Sequence, residues 1–357
     1  MVVILIFWIL VSLAFFGWGK LSTTILGPKV ILEDFSETGH FFLGLSVVGI
    51  LSGIYWCLFP INQVFGGCIL GIGIGYGLSS FPIKLHIQFK SIWFIAACLL
   101  FGLAVLMKSA APTSYFDCGL YYIQSVRWAQ NFPVIPGLGN LHVRLGTISS
   151  WHLLTAAFDW QSISRGNLDD LGELVLLWFL VFHSWNSIKR TGFERYLSLC
   201  LIFSALWLSY PLLTAPSPDL ATGLIGMQTL FQFRKFLKAW DPKMPNQLNT
   251  RGLALFIQSL FLAQIKLSAM PFLLVSFLIL FLIMRKGWFI SSFHLVVFGL
   301  LVGTTMVYRS YVLSGYALFP AFQGGLVSDW KIPKDQVVEY LEGVRGCARH
   351  GLSWSEL

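Results

Sequence analysis

Apolar runs of bilayer-crossing length follow one another along most of this chain. A transmembrane helix needs about 17 to 25 predominantly apolar residues. Stretches near that length are Val2–Trp18, His40–Phe59, Ile61–Ser80, Ser91–Met107, Leu171–Trp185, Tyr196–Leu213, Leu220–Phe236 and Trp288–Tyr308. Gly252–Met284 is a double-length stretch. Helices are the spanning form that fits, because backbone in lipid must satisfy its own hydrogen bonds and the ten-residue alternation of barrel strands is missing. Of the 357 residues, 56% are apolar and only 11% charged, against roughly 25% charged in a soluble domain. So few charges cannot give a core of this size a water-compatible surface. A soluble enzyme, a disordered regulator and a nucleic-acid-binding domain are excluded together. The formal charge of +8 then reads as the positive-inside bias of a membrane protein. Val2–Trp18 lacks a basic leader and a small-residue cleavage site before Lys20, so a retained anchor is expected.

Short loops rich in Lys and Arg set the orientation. They hold Lys84 and Lys90; Lys189, Arg190 and Arg195; Arg234, Lys235, Lys238, Lys243 and Arg251; and Arg285 with Lys286. With these on the cytoplasmic side, Lys108–Asp170 and the Thr214–Asp219 turn lie on the opposite face. Gly252–Met284 must then enter and leave from one side, or break into two short helices around Lys266. Gly146–Trp160 is either a further span or a helix lying in the interface. Glu33, Asp34 and Glu37 fall on the cytoplasmic side as a solvated acid cluster. The glycines of the third span, Gly66, Gly67, Gly71, Gly73, Gly75 and Gly77, are small residues that let helices approach closely. Cys57, Cys68, Cys98 and Cys200 lie in apolar stretches, where a thiol acts as a small hydrophobe. Cys118 and Cys347 sit in polar surroundings and could pair on spacing alone.

A loop beyond about 12 to 15 residues is usually functional or disordered, and Lys108–Asp170 is far longer. Asp117, Leu120, Tyr121, Gln124, Arg127 and Trp128 recur at helical spacing. They predict one amphipathic helix, with a carboxylate at its first turn, lying at the membrane surface. Pro133, Pro136, Gly137 and Gly139 then break it.

Asp117-x-x-x-Tyr121, a short helix, a Pro/Gly break and a return to the membrane resemble the first extracytoplasmic loop of GT-C glycosyltransferases. Pro216-Ser217-Pro218-Asp219-Leu220 resembles a second motif of those enzymes, a small-Pro-Asp-x-Leu turn. Gly252-Leu253-Ala254, leading through Lys266 to Leu267-Ser268-Ala269 and Pro271, resembles a third. The nearest relatives in this resemblance are lipid-A aminoarabinose transferases and protein mannosyltransferases. Closer still is a family of uncharacterised bacterial polytopic proteins. It shares Phe116-Asp117-x-Gly119-Leu120-Tyr121, Pro136 to His142, Arg144-Leu145-Gly146, Arg309, Ser314-Gly315-Tyr316 and Asp329-Trp330-Lys331-x-Pro333. Many GT-C loops carry two adjacent acids, but here Cys118 follows Asp117. No metal ligand set is implied, and a divalent cation is an optional cofactor.

The resemblance implies an all-α polytopic transmembrane bundle, GT-C-like, with an extracytoplasmic loop of interfacial helices. It divides into N-terminal spans over 1–90, a core over 91–316 that includes loop 108–170, and a polar amphipathic tail over 317–357. The implied function is transfer of a sugar from a polyprenyl-phosphate carrier to a cell-envelope acceptor. The implied setting is the extracytoplasmic face of a bacterial inner membrane, with membrane lipids as partners.

Such a reaction needs a carboxylate base, cations against the departing phosphate and a groove for the lipid. Asp117 is the candidate base, and its plain alternative is a helix N-cap. Arg144, Lys266 and Arg309 are the candidate cations. The alternative for Lys266 and Arg309, at the edges of apolar runs, is snorkelling to headgroups. Tyr121 and His142 are candidate substrate contacts. Asp219, at a helix start, is a candidate as well, though capping is its stronger assignment. Two other functions fit the same chain: a non-catalytic scaffold or complex subunit, and a transporter of a lipid-linked sugar. No internal repeat of the transporter kind is evident.

Overall fold

The computed structural model describes residues 1–26, 37–79, 92–113, 115–159, 171–238, 247–285 and 289–350. Lys84, Lys90, Lys243, Lys286, Trp288, Glu33, Asp34 and segment 160–170 lie outside the described residues. The described part is all-α. Its helices are α1 (Val2–Leu26), α2 (Glu37–Trp56), α3 (Gln63–Ser79), α4 (Ile92–Ser109), α5 (Ile123–Asn131), α6 (Ser150–Phe158) and α7 (Leu171–Lys189). They continue with α8 (Phe193–Ser209), α9 (Pro218–Lys238), α10 (Gln247–Ile265), α11 (Leu273–Arg285), α12 (Phe289–Ser314) and α13 (Lys334–His350).

Among the described residues, six helical stretches are long and apolar enough to cross a membrane: Val2–Ile25, Thr38–Trp56, Ile92–Ser109, Leu171–Lys189, Leu267–Arg285 and Phe293–Ser314. The protein is therefore a multi-pass membrane protein. Three expected spans form helices outside that set. α3 and α8 have 17 residues each, and α9 carries Asp219, Arg234, Lys235 and Lys238. α8 still bears exposed aromatic residues at both ends, Phe193 and Tyr196 at one and Trp207 and Tyr210 at the other, the pattern of interfacial belts.

Glycine sets how closely α1, α2 and α3 meet. A methyl group on Gly44 would sit 1.7 Å from the Phe15 carbonyl oxygen, and one on Gly17 1.8 Å from that of Gly73. The glycine ladder of α3 divides between two faces. Gly73 and Gly77 abut α1, whereas Gly67, Gly71 and Gly75 have open space where a Cβ would stand.

The double-length stretch breaks at Lys266, as one of its two expected forms required. α10 ends at Ile265, Lys266 is extended (φ −153°, ψ 140°), and a 3₁₀ turn over Leu267–Phe272 leads into α11. Gly146–Trp160 fits neither of its expectations. Its helix, α6, has nine residues, about 14 Å at 1.5 Å per residue, too short to span. All nine are buried, so it fills the bundle and does not lie in an interface. The helix begun at Asp117 is also shifted from its expected face. The buried side is Cys118, Tyr122, Ser125, Val126 and Ala129, while Gln124 and Arg127 are exposed. Cys118 is buried, and Thr113 Oγ1 donates to its sulfur at 3.3 Å; the side chain of Cys347, its expected partner, lies outside the described residues.

The expected tail folds back onto the core. Tyr316, Phe319, Ile332 and Val337 form a small core of their own, joined by Val143, Tyr340 and Leu341. Gly315 takes φ +80°, and a Cβ there would stand only 2.7 Å from Lys331 Cα, so the close docking of Lys331 requires glycine. Gly137 takes φ +71° against Trp330, and Asn140 Nδ2 donates to the Trp330 carbonyl at 2.6 Å. Tyr316 Oη donates to the Ile332 carbonyl at 2.9 Å. The motifs at Pro136–His142, Ser314–Tyr316 and Asp329–Pro333 thus dock one loop on another, and α13 continues from that joint.

Candidate functional site

A cavity of about 960 Å³ opens where α6, α9, α10, α12 and α13 converge. Asp117, Tyr121, Arg144, Asp219, Lys266 and Arg309 line it together. Six of the seven side chains named from sequence therefore share one wall, although they span nearly two hundred residues of chain. The seventh, His142, is not among the lining residues: its Nδ1 accepts from the Arg144 backbone N–H at 3.3 Å and caps the 3₁₀ turn Val143–Thr147.

Asp117 precedes a π-helical turn, Cys118–Tyr122, in which the Ile123 N–H reaches the Cys118 carbonyl. Single π turns occur often at functional sites. The wide turn keeps Asp117 and Tyr121 on the cavity side while Cys118 and Tyr122 go inward. Asp117 makes no side-chain cap. Its Oδ1 instead lies 2.8 Å from Arg144 Nη1, with the two side chains 20% and 19% exposed. The guanidinium also rests over the Tyr121 ring, 5.2 Å from its centroid. Burial pushes the Tyr121 phenol well above its ordinary value, and the Asp117 charge adds to this against the Tyr122 hydrogen bond and Arg144. Burial lowers the His142 imidazole, and the Arg144 charge lowers it further.

Asp219 and Lys266 form a second ion pair, between the start of α9 and the end of α10. Asp219 does not cap α9. That task falls to Ser217, whose Oγ accepts the Asp219 N–H at 3.2 Å, with Pro218 in the first helical position it favours. The preceding turn is held by Glu173. This carboxylate, buried in the first turn of α7, accepts the N–H of Thr214, whose φ is +70°.

Arg309 is 4% exposed, enclosed by other side chains rather than extended along the protein surface as a snorkelling arginine is. Its Nη2 donates to Ser150 Oγ at 3.0 Å, and Ser150 Oγ donates to Gln264 Oε1 at 2.9 Å. Among the described residues, Arg309 makes no ion pair, and its Nε and Nη1 have no hydrogen-bond partner.

Sequence reasoning passed over four lining residues. Ser149 and His152 border what reads as an apolar run, and their three-residue spacing is the one signal of the capping box they form. Burial holds the His152 imidazole down to about 3, so it is neutral. Tyr340 and Arg345 come from α13, whose amphipathic pattern was legible without its partner. Burial raises the Tyr340 phenol, and the nearby Arg144 charge works against that rise. The lining then has four cationic side chains, Arg144, Lys266, Arg309 and Arg345, against two carboxylates. That balance favours an anion. No group of three or more metal-binding side chains occurs among the described residues.

The cavity and the basic loops lie at opposite ends of α9. Asp219 marks one end, and Lys235 with Lys238 the other, about 30 Å apart at the helical rise. At the basic end Glu194 pairs with Arg234 at 2.6 Å and Lys238 at 3.1 Å.

A family model described as a domain of unknown function (DUF8201) matches residues 1–357. No curated protein and no solved structure matches the chain. With its whole length covered, this helical protein, with six candidate membrane spans among its described residues, belongs to the family of the domain of unknown function DUF8201.

Proposed function

We propose that the cavity is the site of a glycosyl transfer from a polyprenyl-phosphate-linked sugar to a cell-envelope acceptor. In this proposal the cavity faces the extracytoplasmic side of a bacterial inner membrane, as in GT-C enzymes. The observation that carries it is the shared wall: Asp117, Arg144, Asp219, Lys266 and Arg309 meet on one cavity, at the end of α9 opposite the Lys/Arg cluster. By the positive-inside rule, that cluster marks the cytoplasmic end. Asp117 takes the proton of the acceptor hydroxyl, and the positive lining offsets charge on the departing phosphate. Ile148, Ile265, Met306 and Leu318 supply apolar wall for the first isoprene units.

The test is Asp117→Asn in cells that depend on the native gene for a surface glycan. Loss of transfer, with the variant still accumulating in the membrane, is the expected result. An unchanged glycan removes the enzymatic proposal. A scaffold is the second function that an observation favours, since each rim carboxylate is already occupied by a cation. It predicts co-purifying membrane proteins and indifference to Asp117→Asn.

A further inference from the structure

We infer that Arg309 and the N-terminal end of α6 form a seat for the phosphate group of an amphiphilic phosphate ester. Of the three cations that sequence brings to the cavity, Arg144 and Lys266 each already hold a carboxylate. Arg309 holds none among the described residues. Its one hydrogen bond is to Ser150, the first residue of α6. The guanidinium is therefore turned onto the positive end of a helix dipole, a place that favours an anion. Guanidinium and helix end meet at that contact, and among the described residues no carboxylate pairs with Arg309.

His152 adds a third donor. Its Nδ1 accepts from the Ser149 N–H at 3.4 Å, in the capping box of α6. That bond assigns the ring proton to Nε2, and buried Nε2 has no partner among the described residues. Arg309 and His152 both line the cavity, and the side-chain atoms they leave unmatched among the described residues are Arg309 Nε, Arg309 Nη1 and His152 Nε2. All three are N–H donors. Buried donors are normally satisfied, so the ligand that completes this site brings acceptor oxygens and negative charge. A tetrahedral phosphate offers acceptors in several directions at once, and Arg matches two of them with its fork.

The rest of the ligand is apolar. α12, which carries Arg309, is only 17% buried over its spanning window and exposes Val307 and Tyr308 in the same turn as Arg309. The seat is thus about one helix diameter from hydrocarbon, roughly 10 Å. The lipid source of the phosphate rests on the donor proposed above, whereas the seat does not.

The experiment uses the full chain in maltoside micelles, with dodecyl phosphate, inorganic phosphate and uncharged dodecanol as probes, read by calorimetry. Dodecyl phosphate is expected to bind and dodecanol not to. Arg309→Gln should weaken dodecyl phosphate by about tenfold or more, as loss of a charge-assisted pair does. His152→Gln, which keeps the capping box, should weaken it less. Without ligand, Arg309→Gln should unfold at the wild-type temperature or above, because an unpaired buried charge has been removed. Should that variant not fold, Arg309→Lys and Ser150→Ala carry the same comparison. Wild-type affinity in the Arg309 variants overturns the seat. So does an equal loss in Lys238→Gln, which lies at the other end of the bundle. Equal affinity for inorganic and dodecyl phosphate keeps the anion seat and overturns the lipid source. A wild-type protein that binds dodecyl phosphate yet transfers no sugar keeps the seat and overturns the transferase proposal.

Discussion

Arg144 Nη1 stands 2.8 Å from Asp117 Oδ1 and ties the π turn before α5 to the 3₁₀ turn before α6. The pair is part-buried, so it should matter more than a surface bridge. A double-mutant cycle of Asp117→Asn and Arg144→Gln, followed by thermal unfolding in detergent, should give a coupling of about 1 kcal/mol, discounted for the exposed fifth of each side chain. A coupling near zero would mean the contact holds nothing together.

Asp219 and Lys266 provide the contrast. Their side chains are 42% and 44% exposed, so solvent screens them. Asp219→Asn should change stability by no more than about 0.5 kcal/mol. If the same variant loses glycan transfer, the pair acts on a ligand. Retained transfer would assign it to neither role.

Glycine positions separate cleanly by what surrounds them. Gly44→Ala drives a methyl group into the Phe15 carbonyl and must push α1 from α2, so folded yield after detergent extraction should fall sharply. Gly71→Ala meets open space, and alanine is the better helix former by up to about 1 kcal/mol. Its melting temperature should stay level or rise.

His152 gives a pH signature. Its folded pKa lies near 3, below the unfolded value of about 6.5. The unfolded chain therefore binds the extra proton, and stability is lost as pH falls from about 6.5 toward 3. At pH 5 the difference is on the order of 2 kcal/mol. His152→Gln should flatten that part of the stability curve. An identical slope in the variant would place the titrating group elsewhere.

Much of the architecture was legible because lipid imposes simple demands. Length and apolarity alone mark α1, α2, α4, α7 and α12, and charge bias separates the ends of α9. The break at Lys266 follows from a cation inside an apolar run. Other features depend on what a segment meets, and no local pattern carries that. α6 is apolar like a span, yet its nine residues are enclosed by α2, α3, α5 and α10. Asp219 resembles a cap in isolation, but Ser217 sits two residues earlier and Lys266 waits across the bundle. The π turn before α5 inserts extra backbone and rotates the following face, which a count in steps of three and four does not register. His152 stayed hidden because a neutral imidazole inside a hydrophobic run looks like packing.

The isolation of Arg309 from water has a consequence for how the cavity would respond to its medium. Dissolved ions screen exposed charges over about 10 Å at ordinary ionic strength but reach enclosed ones far less. Added salt should therefore mute the half-exposed Asp219–Lys266 rim and leave the inner guanidinium at nearly full strength. Attraction that survives in concentrated brine would come from the floor of the cavity, and attraction that fades would come from its mouth.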